Sequence, residues 1–107
     1  MKDFITRDIE KHLKKTVKSF SVVILTGARQ SGKSTLVKKL FSEFKYVLLD
    51  ELDTLNYAKT DPRGFLKQYS PPVIIDEIQE CPELLSYIKN IVDTSNQKPS
   101  QYIITGS

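Results

Sequence analysis

Apolar and polar positions along the chain follow two different periodicities. Four short apolar runs begin near residues 21, 46, 73 and 101 and are rich in β-branched side chains. This pattern is typical of strands buried on both faces of a parallel sheet. Between the runs, apolar residues recur every three or four positions, as on one face of a helix. Strands that alternate with helices predict an α/β fold with a mainly parallel sheet and helices on both faces.

The first predicted helix, within residues 1–20, is amphipathic. Its basic residues lie opposite an apolar stripe made of Ile5, Ile9, Leu13, Val17 and Phe20. Further helices are predicted over residues 33–44, 62–69 and 82–92. Residues 51–61 are predicted to be irregular or loosely helical. We therefore divide the chain into an N-terminal basic helix, residues 1–20, and an α/β core, residues 21–107.

Length and composition are those of one small globular domain. The 107 residues are 39% hydrophobic and 27% charged, which excludes disordered and fibrous classes. No apolar run reaches the roughly 20 residues that span a bilayer, and the N-terminus lacks the apolar core of a signal peptide. Cys81 is the only cysteine, which excludes an internal disulfide and favours a reducing compartment. We therefore expect a cytoplasmic protein without a transmembrane segment.

The formal net charge of +3 is concentrated in the first helix. Residues 1–18 hold six basic and three acidic residues, whereas the remainder holds ten of each. Three interpretations of this basic face stay open, namely a solvated surface, a nucleic-acid contact and a membrane-surface contact. No aromatic residues are interleaved on the face, which disfavours stacking against single-stranded bases.

A glycine-rich loop follows the first predicted strand. Residues 27–34 read GARQSGKS and fit the pattern G-x-x-x-x-G-K-[ST] between a strand and a helix. Such a loop turns successive amide groups toward a phosphate, and the following helix adds its positive dipole end. Lys33 would reach the β- and γ-phosphates, and the Ser34 hydroxyl would ligate Mg²⁺. The predicted nucleotide-binding residues are Gly27, Ala28, Arg29, Gln30, Ser31, Gly32, Lys33, Ser34 and Thr35.

The third apolar run ends in two acidic residues. Asp76 would hold Mg²⁺ as the corresponding Asp does in P-loop enzymes. Glu77 would orient and deprotonate the attacking water. The sequence therefore predicts a site for ATP and Mg²⁺, with Ser34 and Asp76 as metal ligands and Glu77 and Lys33 as catalytic residues.

The fourth run ends at Thr105-Gly-Ser107, where a polar residue could sense the γ-phosphate. Thr105 is the predicted catalytic sensor and Ser107 its competitor, with one extra strand expected between the loop strand and the Asp76 strand. Because the carboxyl ends of parallel strands share one edge, all these polar residues are expected at the same rim. Weaker candidates near the rim or elsewhere are Asp50, Gln79, His12 and Cys81.

With these residues in view, the chain resembles the bacterial and archaeal AAA-type ATPases whose AAA domain is followed by a C-terminal domain of unknown function. The likeness covers nearly the whole chain, through GARQSGKST, the segment Asp61–Leu66, the stretch Ile74–Leu85 and the ending Ile104–Ser107. The resemblance implies a P-loop three-layer αβα sandwich. It also assigns Gly32, Lys33, Ser34 and Thr35 to Walker A, Asp76 and Glu77 to Walker B, and Thr105 to Ser107 to the sensor region.

Members of the family continue beyond this point through a fifth strand, an arginine-bearing region and a helical lid. We therefore expect the fold to be incomplete at the C-terminus, with hydrolysis belonging to a full-length form. Two other functions stay open, namely a nucleotide-binding module without turnover, with or without nucleic-acid contact, and a small P-loop kinase. The expected partners are the nucleotide and either another protein or further copies of the chain.

Overall fold

The structure is a computed structural model that describes residues 7–27, 32–95, 98–99 and 101–107, without the side chains of residues 7–9. Its helices are α1 (Arg7–Ser19), α2 (Lys33–Leu40), α3 (Leu52–Thr60), α4 (Pro62–Gln68) and α5 (Leu84–Thr94). Its strands are β1 (Val22–Thr26), β2 (Lys45–Leu48), β3 (Val73–Asp76) and β4 (Tyr102–Gly106). A 3₁₀ turn at Ile78–Glu80 follows β3.

The four strands form one sheet in the order β1-β4-β3-β2, and each neighbouring pair is parallel. The predicted α/β class with a parallel sheet is therefore confirmed. The last strand in the chain, β4, lies between the strand before the glycine-rich loop and the strand that ends at Asp76. This arrangement brings the carboxyl ends of β1, β4 and β3 side by side at one edge.

Helices pack on both faces of the sheet, because successive side chains of a strand point to opposite sides. One core contains α1 and α2 against β1, β3 and β4; its buried members are Leu13, Val17, Val23, Val37, Phe41, Ile74 and Ile103. The other core contains α3, α4 and α5 on the opposite face; Phe65, Val73, Ile75, Leu84, Ile88 and Ile104 belong to it. The layers are those of the predicted αβα sandwich.

Two predicted burials are wrong. Ile24 is 51% exposed, since β1 pairs only with β4 among the described residues and so leaves one edge uncovered. Phe20 is 59% exposed because α1 ends at Ser19, which takes Phe20 off the helical stripe. Two other stripe positions, Leu13 and Val17, are buried as predicted. The remaining two, Ile5 and Ile9, lie outside the described side chains.

Several predicted boundaries also move. The helix α2 ends at Leu40 instead of residue 44, and a turn follows in which the Phe44 amide donates to the Phe41 carbonyl oxygen at 3.0 Å. The segment 51–61, predicted to be irregular or loosely helical, contains a regular helix, α3. The last helix, α5, begins at Leu84 and extends to Thr94, beyond the predicted end at residue 92.

A side-chain cap explains why α4 begins where it does. The Asp61 carboxylate accepts a hydrogen bond from the Gly64 amide at 3.1 Å, and Pro62 takes the first helical position. A Cβ at Gly64 would overlap the Asp61 carboxylate. The segment Asp61–Leu66, one of those that carry the family resemblance, therefore forms a helix start whose Phe65 and Leu66 are buried in the core.

Candidate functional site

The two glycines at the start and end of the loop pattern, Gly27 and Gly32, have different structural roles. Gly27 follows β1, and its amide donates to the Gly106 carbonyl oxygen at 3.2 Å, which ties the loop to the tip of β4. Gly32 has φ +89°, a left-handed conformation that side chains with a Cβ rarely adopt. A Cβ there would meet no described residue within 4 Å, so the need for glycine is conformational. The predicted nucleotide contacts at residues 28–31 lie outside the described residues.

The first turn of α2 carries the other predicted loop residues, Lys33, Ser34 and Thr35. The Lys33 ammonium donates to the Gly27 carbonyl oxygen at 3.3 Å, so this side chain spans the loop from its end to its start. Gly32 at the helix start has no side chain that could accept hydrogen bonds from the first-turn amides. The N-terminus of α2, which carries the positive end of the helix dipole, therefore has no side-chain cap from Gly32.

Asp76 is the centre of the rim. It ends β3, is only 2% exposed, and its two carboxylate oxygens accept from different strands. Thr105 Oγ1 donates to Oδ1 at 2.5 Å, and the Tyr46 hydroxyl donates to Oδ2 at 2.6 Å. Ser34, in the first turn of α2, is a third side chain that interacts with the same carboxylate and lowers its pKa. Side chains from α2 and from two neighbouring strands thus approach one carboxylate.

The electrostatics of Asp76 favour an ionised carboxylate. Burial raises its pKa, but hydrogen bonds from Thr105, Tyr46 and Ser34 and from the Glu77 backbone outweigh that effect. The pKa of Asp76 therefore lies below its ordinary value. An ionised carboxylate beside a serine hydroxyl is a donor set of the kind that Mg²⁺ uses, together with phosphate and water oxygens.

The pleat of the sheet explains why these groups converge. Ile74 and Ile103 face the core that contains α2, so the residues two positions later, Asp76 and Thr105, face the same way. Tyr46, opposite Ile74 in the register between β2 and β3, packs against the same core. All three side chains therefore point to the side on which α2 presents Ser34.

Tyr46 is a site residue that the sequence analysis did not identify. Burial and its hydrogen bond to Asp76 raise the pKa of its phenol, so the hydroxyl stays a donor. The Lys38 ammonium lies 4.4 Å from the centre of the Tyr46 ring and makes a cation–π contact with one face of that ring. A polar-tipped aromatic in an otherwise aliphatic strand is a sequence signal, but its partner follows only from the order of the strands.

Glu77 has an unusual backbone conformation at the end of β3. Its φ of 64° and ψ of 51° place a residue with a full side chain in the left-handed region. Such conformations persist where the surroundings determine them, and they cluster at functional sites. The Gln79 side-chain amide donates to the Glu77 carboxylate and accepts from the Ser107 amide at 3.2 Å. Gln79 thus contacts both the predicted base and the tip of β4.

The remaining sequence candidates lie in different settings. The Thr105 hydroxyl is fully buried and engaged with Asp76, whereas Ser107 is exposed. Asp50 and His12 are exposed, and neither joins the Asp76 cluster in the described contacts. Cys81 is buried in the core beneath α5. Burial, followed by the nearby Glu83 carboxylate, raises the pKa of the Cys81 thiol.

A cavity of about 550 Å³ lies away from this rim, between α4, α5 and the first residue of β4. Arg63, Tyr87 and Tyr102 are among its lining residues, and the Arg63 guanidinium lies 5.7 Å from the centre of the Tyr87 ring. The Tyr102 hydroxyl is buried there and has no hydrogen-bond partner among the residues that the structure describes. The rim is the better candidate for chemistry, because it alone combines the loop, a lysine and the Asp76 cluster.

Comparisons with known proteins agree with this geometry. Residues 19–107 match a family model described as an AAA domain, and the chain therefore belongs to that family of ATPase-type nucleotide-binding modules. Uncharacterised proteins of Mycobacterium bovis and Mycobacterium tuberculosis are each 34% identical over 104 residues, covering 94% of this chain. The chain spans 23% of the length of these relatives. No solved structure matches.

Two further features bear on the class of protein. Within the described ranges, none of the helices has both the length and the apolar character that crossing a bilayer requires. The same residues contain no group of three or more His, Cys, Asp or Glu side chains suited to hold a metal ion. A metal at the rim would therefore need phosphate and water oxygens to complete its coordination.

Proposed function

We propose that the chain binds ATP with Mg²⁺ on residues 27–35 and that Glu77 activates water for hydrolysis of the γ-phosphate. The observation that carries the proposal is the buried Asp76 carboxylate, held by Thr105 and Tyr46 at the strand edge to which Gly27 and Lys33 are also tied. Mg²⁺ bound between Ser34 and Asp76 would neutralise charge on the β- and γ-phosphates.

The chain's own groups then divide the work. The amides at the start of α2 and the Lys33 ammonium bind the phosphates, and Lys33 exchanges its contact with the Gly27 carbonyl oxygen for phosphate oxygens. Tyr46 and Thr105 hold the Asp76 carboxylate in one orientation. Glu77 accepts a proton from the attacking water, which requires hydrogen-bond reach to that water.

The choice of nucleotide, the location and the partners are proposed from other features of the chain. ATP is favoured over GTP because the sequence has no Asn-Lys-x-Asp segment for reading guanine. A cytoplasmic location is proposed from the single cysteine, which is buried. Contacts with a protein partner, with further copies of the chain or with a polyanion remain proposals. The exposed lysines of α1, Lys11, Lys14, Lys15 and Lys18, would serve the polyanion contact.

The test separates binding from turnover. Single-turnover hydrolysis of labelled ATP, with protein in excess, detects slow intrinsic rates such as the roughly 10⁻⁴ per second of small GTPases without their activating arginine. We expect Glu77→Gln to bind Mg-ATP as the wild type does and to hydrolyse it about 10²- to 10⁴-fold more slowly. The exposed Glu43→Gln should match the wild type.

Equal rates of phosphate release in the wild type and Glu77→Gln would contradict the hydrolytic part of the proposal. Retained Mg-ATP binding without release in either protein would favour a binding module. Appearance of the phosphate on a small acceptor instead of in solution would favour a kinase.

A further inference from the structure

The side chain of Gln79 connects two elements that the reaction needs. It lies in the 3₁₀ turn after β3, where Nε2 donates to Glu77 Oε1 and Oε1 accepts from the Ser107 amide at 3.2 Å. The carboxylate can only accept and the backbone amide can only donate. A carboxamide is therefore the side chain that satisfies both neighbours, and the opposite orientation of the amide would leave both mismatched.

The tip of β4 is shaped to admit this side chain. A Cβ at Gly106 would lie 2.9 Å from Gln79 Oε1 and 2.9 Å from Ile78 Cγ2, closer than real Cβ contacts. Glycine at this position therefore lets the 3₁₀ turn approach the strand end. The Gly106 carbonyl oxygen also accepts from the Gly27 amide. A continuous path of contacts thus runs from the start of the glycine-rich loop, through Gly106 and Ser107, to Gln79 and Glu77.

The backbone conformation of Glu77 explains why these contacts matter. The left-handed conformation is unfavourable for a residue with a Cβ, so Glu77 keeps it only if surrounding contacts stabilise it. The hydrogen bond from Gln79 is one such contact, and it acts directly on the carboxylate that would take the proton. Without it, the Glu77 carboxylate would lose one of the contacts that select its rotamer.

We propose that Gln79 is a positioning residue. It holds the Glu77 carboxylate at a fixed position relative to the tip of β4, and therefore relative to Gly27 at the start of the glycine-rich loop. This role rests on the proposed function of Glu77 as the base. Gln79 itself touches neither nucleotide nor water in this account. Its contribution is to the rate of hydrolysis and not to the affinity for Mg-ATP, because the phosphates are held by other residues.

Two substitutions test these hydrogen bonds. Gln79→Met keeps the length of the side chain and removes both bonds. Gln79→Glu keeps an acceptor for the Ser107 amide, removes the donor to Glu77 and places a second carboxylate beside that of Glu77. Gln68→Met on the exposed face of α4 is the matched control. Thermal unfolding of each variant establishes that it is folded, and calorimetry gives its affinity for Mg-ATP.

The decisive readout is the single-turnover rate in two backgrounds. Because misplacing a catalytic group by about 1 Å can cost roughly 10²-fold, we expect each Gln79 variant to lose about 10- to 100-fold in rate. The affinity for Mg-ATP should stay within about twofold of the wild type, since the side-chain hydrogen bonds of Gln79 go to Glu77 and Ser107 and not to the groups proposed to bind the phosphates. In the Glu77→Gln background the same substitutions should cause no further loss, because Gln79 acts through Glu77.

Three results would overturn the inference, and they differ from one another. Wild-type rates in both Gln79 variants would remove the positioning role and leave the proposed function intact. An undiminished loss in the Glu77→Gln background would show that Gln79 acts on something other than Glu77. A wild-type chain that binds Mg-ATP but does not hydrolyse it would remove the proposed function, and the positioning role with it.

Discussion

Thr105 Oγ1 donates a hydrogen bond of 2.5 Å to the Asp76 carboxylate, and both residues are buried at the ends of adjacent strands. The predicted sensor is therefore linked directly to the predicted metal ligand. A hydroxyl that holds a metal ligand would respond to the nucleotide through that ligand. The contact between Ser107 and Gln79 is separate, and leads to Glu77 instead. Which of Thr105 and Ser107 senses the γ-phosphate stays a prediction.

Removing the Thr105 hydroxyl should destabilise the fold. Thr105→Val keeps the shape of the side chain but leaves a buried carboxylate with one donor fewer, which costs about 1–3 kcal/mol. Urea unfolding at pH 7 in the presence of EDTA measures the change in the free energy of unfolding. The exposed Thr60→Val at the end of α3 is the control. Equal stability of Thr105→Val and the wild type would show that the hydrogen bond contributes nothing.

The same substitution should matter less in acid. The native pKa of Asp76 lies below its ordinary value of 3.8, so its hydrogen bonds stabilise the fold above that value. That stability is lost as the pH falls through the lower native pKa. The difference between Thr105→Val and the wild type is therefore expected to be full near pH 7 and to shrink below about pH 4. A difference that grows with acidity would contradict an ionised Asp76.

Tyr46→Phe tests the residue that only the structure revealed. The substitution removes the donor to Asp76 Oδ2 and keeps the ring beneath Lys38. Partners that orient a metal-binding carboxylate typically contribute about 10- to 100-fold to metal affinity. We expect roughly tenfold more Mg²⁺ to be needed for ATP binding. Calorimetric titrations at several Mg²⁺ concentrations measure this, with Tyr69→Phe in the other core as the control. An unchanged Mg²⁺ requirement would remove Tyr46 from the site.

The cap of α4 should affect stability alone. Asp61→Ala removes the acceptor for the Gly64 amide and should cost about 0.5–2 kcal/mol, whereas Asp61→Asn, which also caps well, should cost less. Mg-ATP binding should be unchanged in both, since α4 lies outside the rim. Chemical unfolding and calorimetry together check this. A loss of nucleotide binding in folded Asp61→Ala would assign the segment a functional role.

Much of the fold was predictable because it depends on local patterns. Apolar runs and glycine-rich turns located the four strands, and strand ends located the shared rim. The same patterns failed at Ile24, whose exposure depends on which strands flank β1. They left residues 51–61 open between irregular and loosely helical structure, because no strong apolar stripe marks α3 and Ala58 is its one fully buried residue.

The candidate site also combines features that local sequence patterns mark with features that depend on the tertiary fold. The glycine-rich pattern and the pair of acids, whose roles stay predictions, were recognisable in the sequence because phosphate and metal chemistry require particular residues at fixed spacing. The role of Tyr46 was not, because its contact with Asp76 depends on strand order and on the direction of the pleat. The bridge made by Gln79 depends on the left-handed backbone of Glu77, which no local sequence signal marks.

The most direct test of the central claim is calorimetric titration of Mg-ATP into the folded chain and into Lys33→Ala. Hydrogen bonds to charged groups contribute about 1.5–3 kcal/mol each, so loss of the Lys33 contacts should weaken binding about 100-fold or more. Lys39→Ala, an exposed position on the same helix, should bind as the wild type does. If the wild type binds no Mg-ATP at millimolar concentrations, or if folded Lys33→Ala binds it equally well, the account of this site is wrong.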